Sequence, residues 1–261
     1  MYTVVVERPA DNAYPFSREL FEERSVIYHG TWSTCCPRIE SEGLLSGADS
    51  LDVWALRDIN DAHADLGNEA FFAGFDYFNP FTRREVFFTP SFWGARAYAT
   101  DGGGEVVRKT IEDADRFLRI CDNPDTRREL IESRKTALRE YGSPHARTEA
   151  SIVALEDETK LQCLRPIVEK ARLALVARRG DGFPVVYAIR ADADWFGDTW
   201  ERHLYHWREM ETSGGELKCF GFPIGPERLI ARADFPNGTD QNFMPDHVTT
   251  WEAAEKIALS C

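Results

Sequence analysis

The spacing of apolar residues changes character along the chain. Val26-Ile27-Tyr28 is a short unbroken apolar run and predicts a buried strand. Before it, residues 1 to 24 read as an N-terminal arm with one short helix, Ser17 to Arg24. After it, Ser33 to Glu42 predicts a helix, with Thr34 as cap, Pro37 in the first turn and Gly43 as the stop. Residues 45 to 82 are mixed, with a helix expected around Ile59 to Phe72. Glu85 to Thr89 predicts a second strand, and Ser91 to Ala99 a helix capped by Thr89 or Ser91 and ended by Asp101-Gly102-Gly103-Gly104. Glu105 to Ile111 and Arg116 to Ile120 read as a third and a fourth strand. From about Pro124 to Arg179 the pattern is charged with a helical period. Phe183 to Ile189 is a clear strand, Asp192 to Glu211 is rich in aromatic residues, Glu216 to Phe222 is another strand, and Thr249 to Ala258 is an amphipathic helix.

Strands at both ends with helices between them predict an α+β fold with long crossovers. The expected organisation is a single domain over 1–261 with a helical insertion at about 122–180. Neither GxGxxG nor GxxxxGK[ST] occurs, so a doubly wound nucleotide fold is not expected.

Composition narrows the field. Hydrophobic residues make up 43% of the 261 and charged residues 29%, as in an ordinary globular protein. The formal net charge of −13 opposes non-specific binding to nucleic acid or to an anionic membrane. No run approaches the roughly 20 apolar residues of a membrane span, and MYTVVVERPADNAYPF lacks the features of a signal peptide. The six cysteines form no CxxC pair and no zinc ligand set, which points to reduced thiols and a cytoplasmic location, or delivery into a target cell's cytosol. Asn237-Gly238-Thr239 matches a glycosylation sequon but reads as a turn.

Three islands carry chemistry. The first is Tyr28-His29-Gly30-Thr31, with Gly43-Leu44 behind it. A strand that delivers His-Gly-Thr holds a ring nitrogen, a bare backbone amide and a hydroxyl near one spot. The second is Val86-Phe87-Phe88-Thr89-Pro90-Ser91 followed by Ala95, Tyr98 and Ala99. The third is Glu216, after Gly214-Gly215 at the start of a late strand, with Pro226-Glu227-Arg228-Leu229-Ile230 beyond.

In this order the islands resemble the ADP-ribosyltransferase superfamily, on the branch with a His-Tyr-Glu site that includes poly(ADP-ribose) polymerases and diphtheria toxin. The resemblance covers roughly 25 to 120 and 183 to 232 and implies a split mixed β-sheet core. It implies NAD as the substrate, no metal, and transfer of ADP-ribose to a macromolecular acceptor with release of nicotinamide. It makes Glu216, His29 and Tyr98 the catalytic residues, and His29, Gly30, Thr31, Phe87, Ser91 and Tyr98 the NAD-binding ones. The residue types suit that chemistry. Loss of a cationic nicotinamide gives an oxocarbenium-like transition state that one carboxylate can stabilise. Gly30 lets a carboxamide approach its N–H and C=O because no Cβ intervenes, and an aromatic face attracts the pyridinium by roughly 0.5–2 kcal/mol.

Departures from the family pattern refine the expectation. Gly214 stands where arginine-specific members carry Glu or Gln, so arginine modification is not implied. Phe87 stands where many members carry Tyr. Arg84-Glu85-Val86-Phe87-Phe88-Thr89 lacks the histidines of RNA 2′-phosphotransferases. A protein acceptor is favoured over a nucleic-acid one by the acidic charge, though a nucleic-acid-directed transferase or a 2′-phosphotransferase stays as an alternative. A toxin, effector or phage-defence role with an antitoxin or immunity partner fits the family.

Plainer readings stand beside these. Glu209 or Glu211 could serve in place of Glu216. His203 and His206, three apart, read as part of an aromatic packing face rather than a metal pair. Cys35-Cys36 has no base partner that would make either a nucleophile. The chain could also be a non-catalytic NAD- or ADP-ribose-binding module, its pocket filled by Trp32 or Trp93.

Overall fold

The apolar run at Val26 does not stop at Tyr28: in the computed structural model it continues through the His-Gly-Thr triplet to Trp32 as one strand. The structure describes residues 1–8, 12–23, 25–45, 52–67, 85–100, 105–141, 146–191, 217–220, 224–239, 245, 248 and 250–260. The chain is mixed α+β, as its pattern predicts, and divides into two compact units. One comprises 1–50, 83–105 and 179–261; the other comprises 51–82 and 106–178.

The first unit is built on a four-stranded sheet. Its strands are β1 (Tyr2–Val5), β2 (Val26–Trp32), β4 (Pro184–Arg190) and β6 (Leu229–Asp234), in the order β1-β6-β4-β2. β1 runs parallel to β6, and the other pairings are antiparallel. The arm expected over residues 1 to 24 thus contains an edge strand as well as helix α1 (Arg18–Glu22), whose cap Ser17 accepts from the Leu20 N–H. β3 (Glu85–Phe88) pairs antiparallel with β5 (Leu217–Phe220) in a second, two-stranded sheet. Among the described residues the two sheets meet at one pair, where Tyr28 and Thr89 exchange both backbone hydrogen bonds, 2.7 and 2.9 Å.

Helix α2 (Cys36–Glu42) follows β2 through a 3₁₀ turn at Ser33–Cys35. Thr34, the expected cap, lies inside that turn and neither element has a side-chain cap; Ser33 Oγ instead accepts from the Phe183 N–H at 2.9 Å. Pro37 is in the first turn, and Gly43 ends the helix at φ 86°. A Cβ on Gly43 would also lie 2.0 Å from the Ile224 carbonyl oxygen, next to the Leu44–Ile224 bridge.

The second unit is helical: α3 (Val53–Asp65), α5 (Glu105–Asp122), α6 (Pro124–Tyr141), α7 (Ala146–Glu156) and α8 (Glu158–Arg179). The strands expected at 105–111 and 116–120 are wrong, because both stretches belong to α5. The β-branched run Val106-Val107 and Thr110-Ile111 favours a strand locally. The buried positions Val107, Ile111, Ala114, Phe117 and Cys121 nevertheless recur every three or four residues, and that longer period prevails. These residues join Leu56, Ile59, Leu155, Leu161 and Leu175 in one core contained wholly within this unit. The helical part therefore begins at α3, well before the expected 122. α4 (Phe92–Ala99), in the sheet unit, is the helix expected over Ser91 to Ala99, and α9 (Trp251–Ser260) answers the expected C-terminal helix.

Candidate functional site

Alternation along β2 sorts its residues between two faces. Val26 and Tyr28 share a core with α4, while Ile27 shares one with α2. Backbone groups alternate too. His29 and Thr31 face Tyr187 and Val185 of β4, in step with the bonds from Ala191 N–H to Ser25 and from Ser33 N–H to Phe183. Tyr28 and Gly30 therefore point their N–H and C=O at the opposite edge. Tyr28 spends its pair on Thr89, and β2–β3 pairing stops there. Two residues on, the N–H and C=O of Gly30 face an edge where no described residue takes them. One short stretch thus presents a donor and an acceptor side by side.

Helix α4 is laid across this point. A Cβ on Gly30 would fall 1.9 Å from the Ala95 carbonyl oxygen and 2.8 Å from the Ala99 nitrogen. The glycine is thus required by helix packing, and its Cβ side is closed by α4 rather than left open for a ring. Only the strand edge of Gly30 remains. Several contacts fix α4. Ser91 Oγ caps it, accepting from the Gly94 N–H at 3.2 Å, and Thr89 Oγ1 accepts from the Ser91 N–H at 3.1 Å. Asn12 straps the helix from outside: its carbonyl accepts from Trp93 Nε1–H and its Oδ1 from the buried Arg96 guanidinium, both at 2.9 Å. Tyr14 reaches beneath to bond the Tyr28 hydroxyl at 2.6 Å. Tyr98 lies in the turn that crosses Gly30, beside Ala99, and is 38% exposed.

The other face carries His29 and Thr31, both half-buried. The His29 ring stands edge-on to buried Phe88, with centroids 5.9 Å apart. Across the ladder His29 is opposed by Tyr187, and Tyr187 by Arg232. Above this row α2 supplies Glu40, whose Oε1 accepts from the Tyr187 hydroxyl at 3.1 Å and from Arg232 Nη1 at 2.5 Å. Arg232 also forks onto Asp234 through Nε and Nη2, at 2.7 and 2.6 Å. The Asp234 hydrogen bonds raise the Arg232 pKa above the usual arginine range, and burial raises that of Tyr187. Burial also pushes the neighbouring Cys36 thiol up to about 11, so it is inert at neutral pH. This satisfied network ties α2, which leaves directly from the site strand, to the centre of the sheet. The sequence reading missed it. Its trace was the alternation Arg232-Ala233-Asp234, which puts both charges on one face of β6.

The expected site residues fall into three groups. His29, Gly30 and Thr31 share β2; Tyr98 lies in the turn of α4 that crosses it at Gly30, and Ser91 caps the other end of that helix, beside Thr89. Phe87 lies on β3, paired with Lys218, but its side chain is outside the described part, as are Glu85's and those of β5. Glu216 lies outside the described residues, as do Glu209, Glu211, His203, His206 and Gly102 to Gly104. β5 begins at the next residue, Leu217, opposite Phe88. Phe88 is core, as expected. Trp32 and Trp93 are buried, and the Trp32 indole N–H donates to the Arg179 carbonyl at 2.9 Å. Asn237-Gly238 is a turn, as read, with Gly238 at φ 84°.

Among the described residues, no group of three or more His, Cys, Asp or Glu is placed to hold a metal ion, and no helix is long and apolar enough to cross a membrane. No family model matches the chain, and searches of curated proteins and of solved structures return no match.

Proposed function

We propose that the sheet unit is an ADP-ribosyltransferase-like split-sheet domain that binds NAD at the outer edge of β2 and transfers its ADP-ribose to a macromolecular acceptor. One observation carries this reading: Gly30 offers an N–H and a C=O together, on an edge crossed by the Tyr98 helix and beside His29. A primary carboxamide is the complement of such a pair. Its oxygen accepts from the N–H and its NH₂ donates to the C=O, each bond contributing about 0.5–1.5 kcal/mol net. Tyr98 supplies an aromatic face for the pyridinium, worth roughly 0.5–2 kcal/mol. His29, with Thr31 and Ser91, is assigned to ribose and phosphate oxygens, and Phe87 to the second aromatic position.

Glu216 takes the reacting ribose. As the C1′–N bond breaks, its electron pair leaves with neutral nicotinamide, and the carboxylate stabilises the positive charge growing on the sugar. The acceptor's nucleophile then bonds to C1′ and releases its proton to solvent. The net negative charge of the chain favours a protein acceptor over nucleic acid. A second reading has its own observation. Because α4 packing alone demands a glycine at position 30, that glycine is equally explained in a module that binds NAD or ADP-ribose without turnover.

The test is nicotinamide release from NAD by the purified chain and by Glu216→Gln, with and without cell lysate. Release that depends on Glu216 and rises with lysate is the expected result. A melting shift with NAD but no release selects the binding module. Neither release nor shift overturns both readings.

A further inference from the structure

His63 in α3 is fully buried. Its Nε2 lies 2.7 Å from the backbone carbonyl oxygen of Asp113 on α5. A carbonyl only accepts, so Nε2 carries the hydrogen and Nδ1 presents a bare lone pair. Nδ1 is buried with no hydrogen-bond partner among the described residues. The ring stands edge-on to Phe117, 5.5 Å between centroids, in the apolar core of the helical unit. The charged groups that act on it are Asp113 and Arg116, both on α5 and paired with each other at 2.7 Å. Among the described residues no charged side chain of α6, α7 or α8 acts on it. Burial holds the ring's affinity for a proton below that of an ordinary histidine. The bond also fastens together two stretches remote in sequence, 51–82 and 106–178.

We infer that His63 is an acid-sensitive fastener of the helical unit, so that protonation at Nδ1 requires α3 to part from α5. A proton there would create an N–H without an acceptor and a charge inside an apolar core, both strongly unfavourable. The closed unit therefore excludes the proton, while the open unit takes it with ordinary affinity, near pH ~6.5. The open state binds more protons, so stability rises with pH. The contribution is complete above that value and falls as pH drops through and below it, by up to about tenfold in the closing equilibrium per pH unit. The device is independent of what the sheet unit binds.

The experiment is hydrogen exchange of the full chain at pH 7.5, 6.5 and 5.5, with rates corrected for intrinsic chemistry. Wild type is expected to open increasingly in α3 and α5 below pH 6.5, approaching tenfold per unit, while β4 stays protected. His63→Gln keeps a donor for the Asp113 carbonyl and cannot titrate in this range, so its profile is expected to be flat. If that variant does not fold, ring ¹⁵N signals of wild type decide: His63 should stay neutral, with the hydrogen on Nε2, until α3 opens. A wild-type profile as flat as the variant's, or a His63 ring that titrates normally while α3 and α5 remain protected, overturns the inference.

Discussion

The two units bury polar groups in opposite ways. In the sheet unit Asp234, Arg232, Glu40 and Tyr187 form one chain in which each group has a partner. In the helical unit His63 Nδ1, Arg127 Nη1 and Ser151 Oγ are buried with none, and in the sheet unit only Thr239 Oγ1 is in that condition among the described residues. A strand ladder fixes register, so polar groups on neighbouring strands can be matched one to one. Helices packed by apolar stripes specify a face, and a polar atom that falls inside it must find a partner by chance or do without. The sheet unit is thus held by specific pairings and the helical unit by volume. Each also contains a buried thiol, Cys36 and Cys121, pushed by burial to about 11, so labelling at neutral pH reports opening of either unit separately.

The comparison breaks most sharply at Phe117, fully buried in the helical core. Phe117→Ala removes about 3–5 kcal/mol. Labelling of Cys121 should then rise by orders of magnitude while Cys36 stays protected. Equal acceleration of both would mean that the units open as one. The converse is Gly30→Ala. The added methyl meets the backbone of α4, which cannot rotate aside, so the cost should reach the upper end of the ~1–3 kcal/mol typical of overpacking. Cys36 should become reactive, and Cys121 should not. A variant that melts within a degree or two of wild type would show that the crossing is looser than described.

These two positions also mark what the sequence could reveal. Gly30 stood out because a strand that delivers His-Gly-Thr offers a ring nitrogen, a bare amide and a hydroxyl close together, and the structure puts the triplet within β2, the outer strand of the four-stranded sheet. Its second reason, a helix backbone 1.9 Å from where a Cβ would be, depends on a contact 65 residues away that no local pattern encodes. Phe117 was placed in a strand because five residues of Arg116 to Ile120 suit β structure. The helical stripe becomes visible only over the full length of α5. β1 was overlooked because Tyr2 to Val5 is too short for alternation to register and gains its partner, β6, from the far end of the chain. Glu40 lacked any signal, since its role follows from two strands that meet it only after folding.

Matched ion pairs sharpen the contrast at smaller scale. Arg232→Met strands Asp234, whose side chain is 8% exposed, and should cost about 3 kcal/mol. Arg128→Met in α6 removes a pair with Asp125 at 2.9 Å, but both side chains there are more than 70% exposed, so the change should stay within ~0.5 kcal/mol. Urea titrations of both variants test this. Comparable losses would mean that the sheet network is no better shielded than the helix surface.

The smallest effect bears most directly on the site. Ser91 Oγ accepts from the Gly94 N–H, which leaves its own hydrogen free to donate to a ligand, so capping α4 and binding a phosphate oxygen are compatible roles. Ser91→Ala loses the cap, about 1 kcal/mol and a few degrees of melting temperature. Ser91→Asp restores a cap of equal quality but places a negative charge where the diphosphate of NAD is assigned. If Ser91 contacts that diphosphate, Ser91→Asp should melt like wild type yet bind NAD at least tenfold more weakly, and more weakly than Ser91→Ala. If both variants bind NAD as wild type does, Ser91 acts on the helix alone. The proposed nucleotide contacts then contract to His29, Gly30 and Thr31 of the strand and to Tyr98 of the helix that crosses it at Gly30.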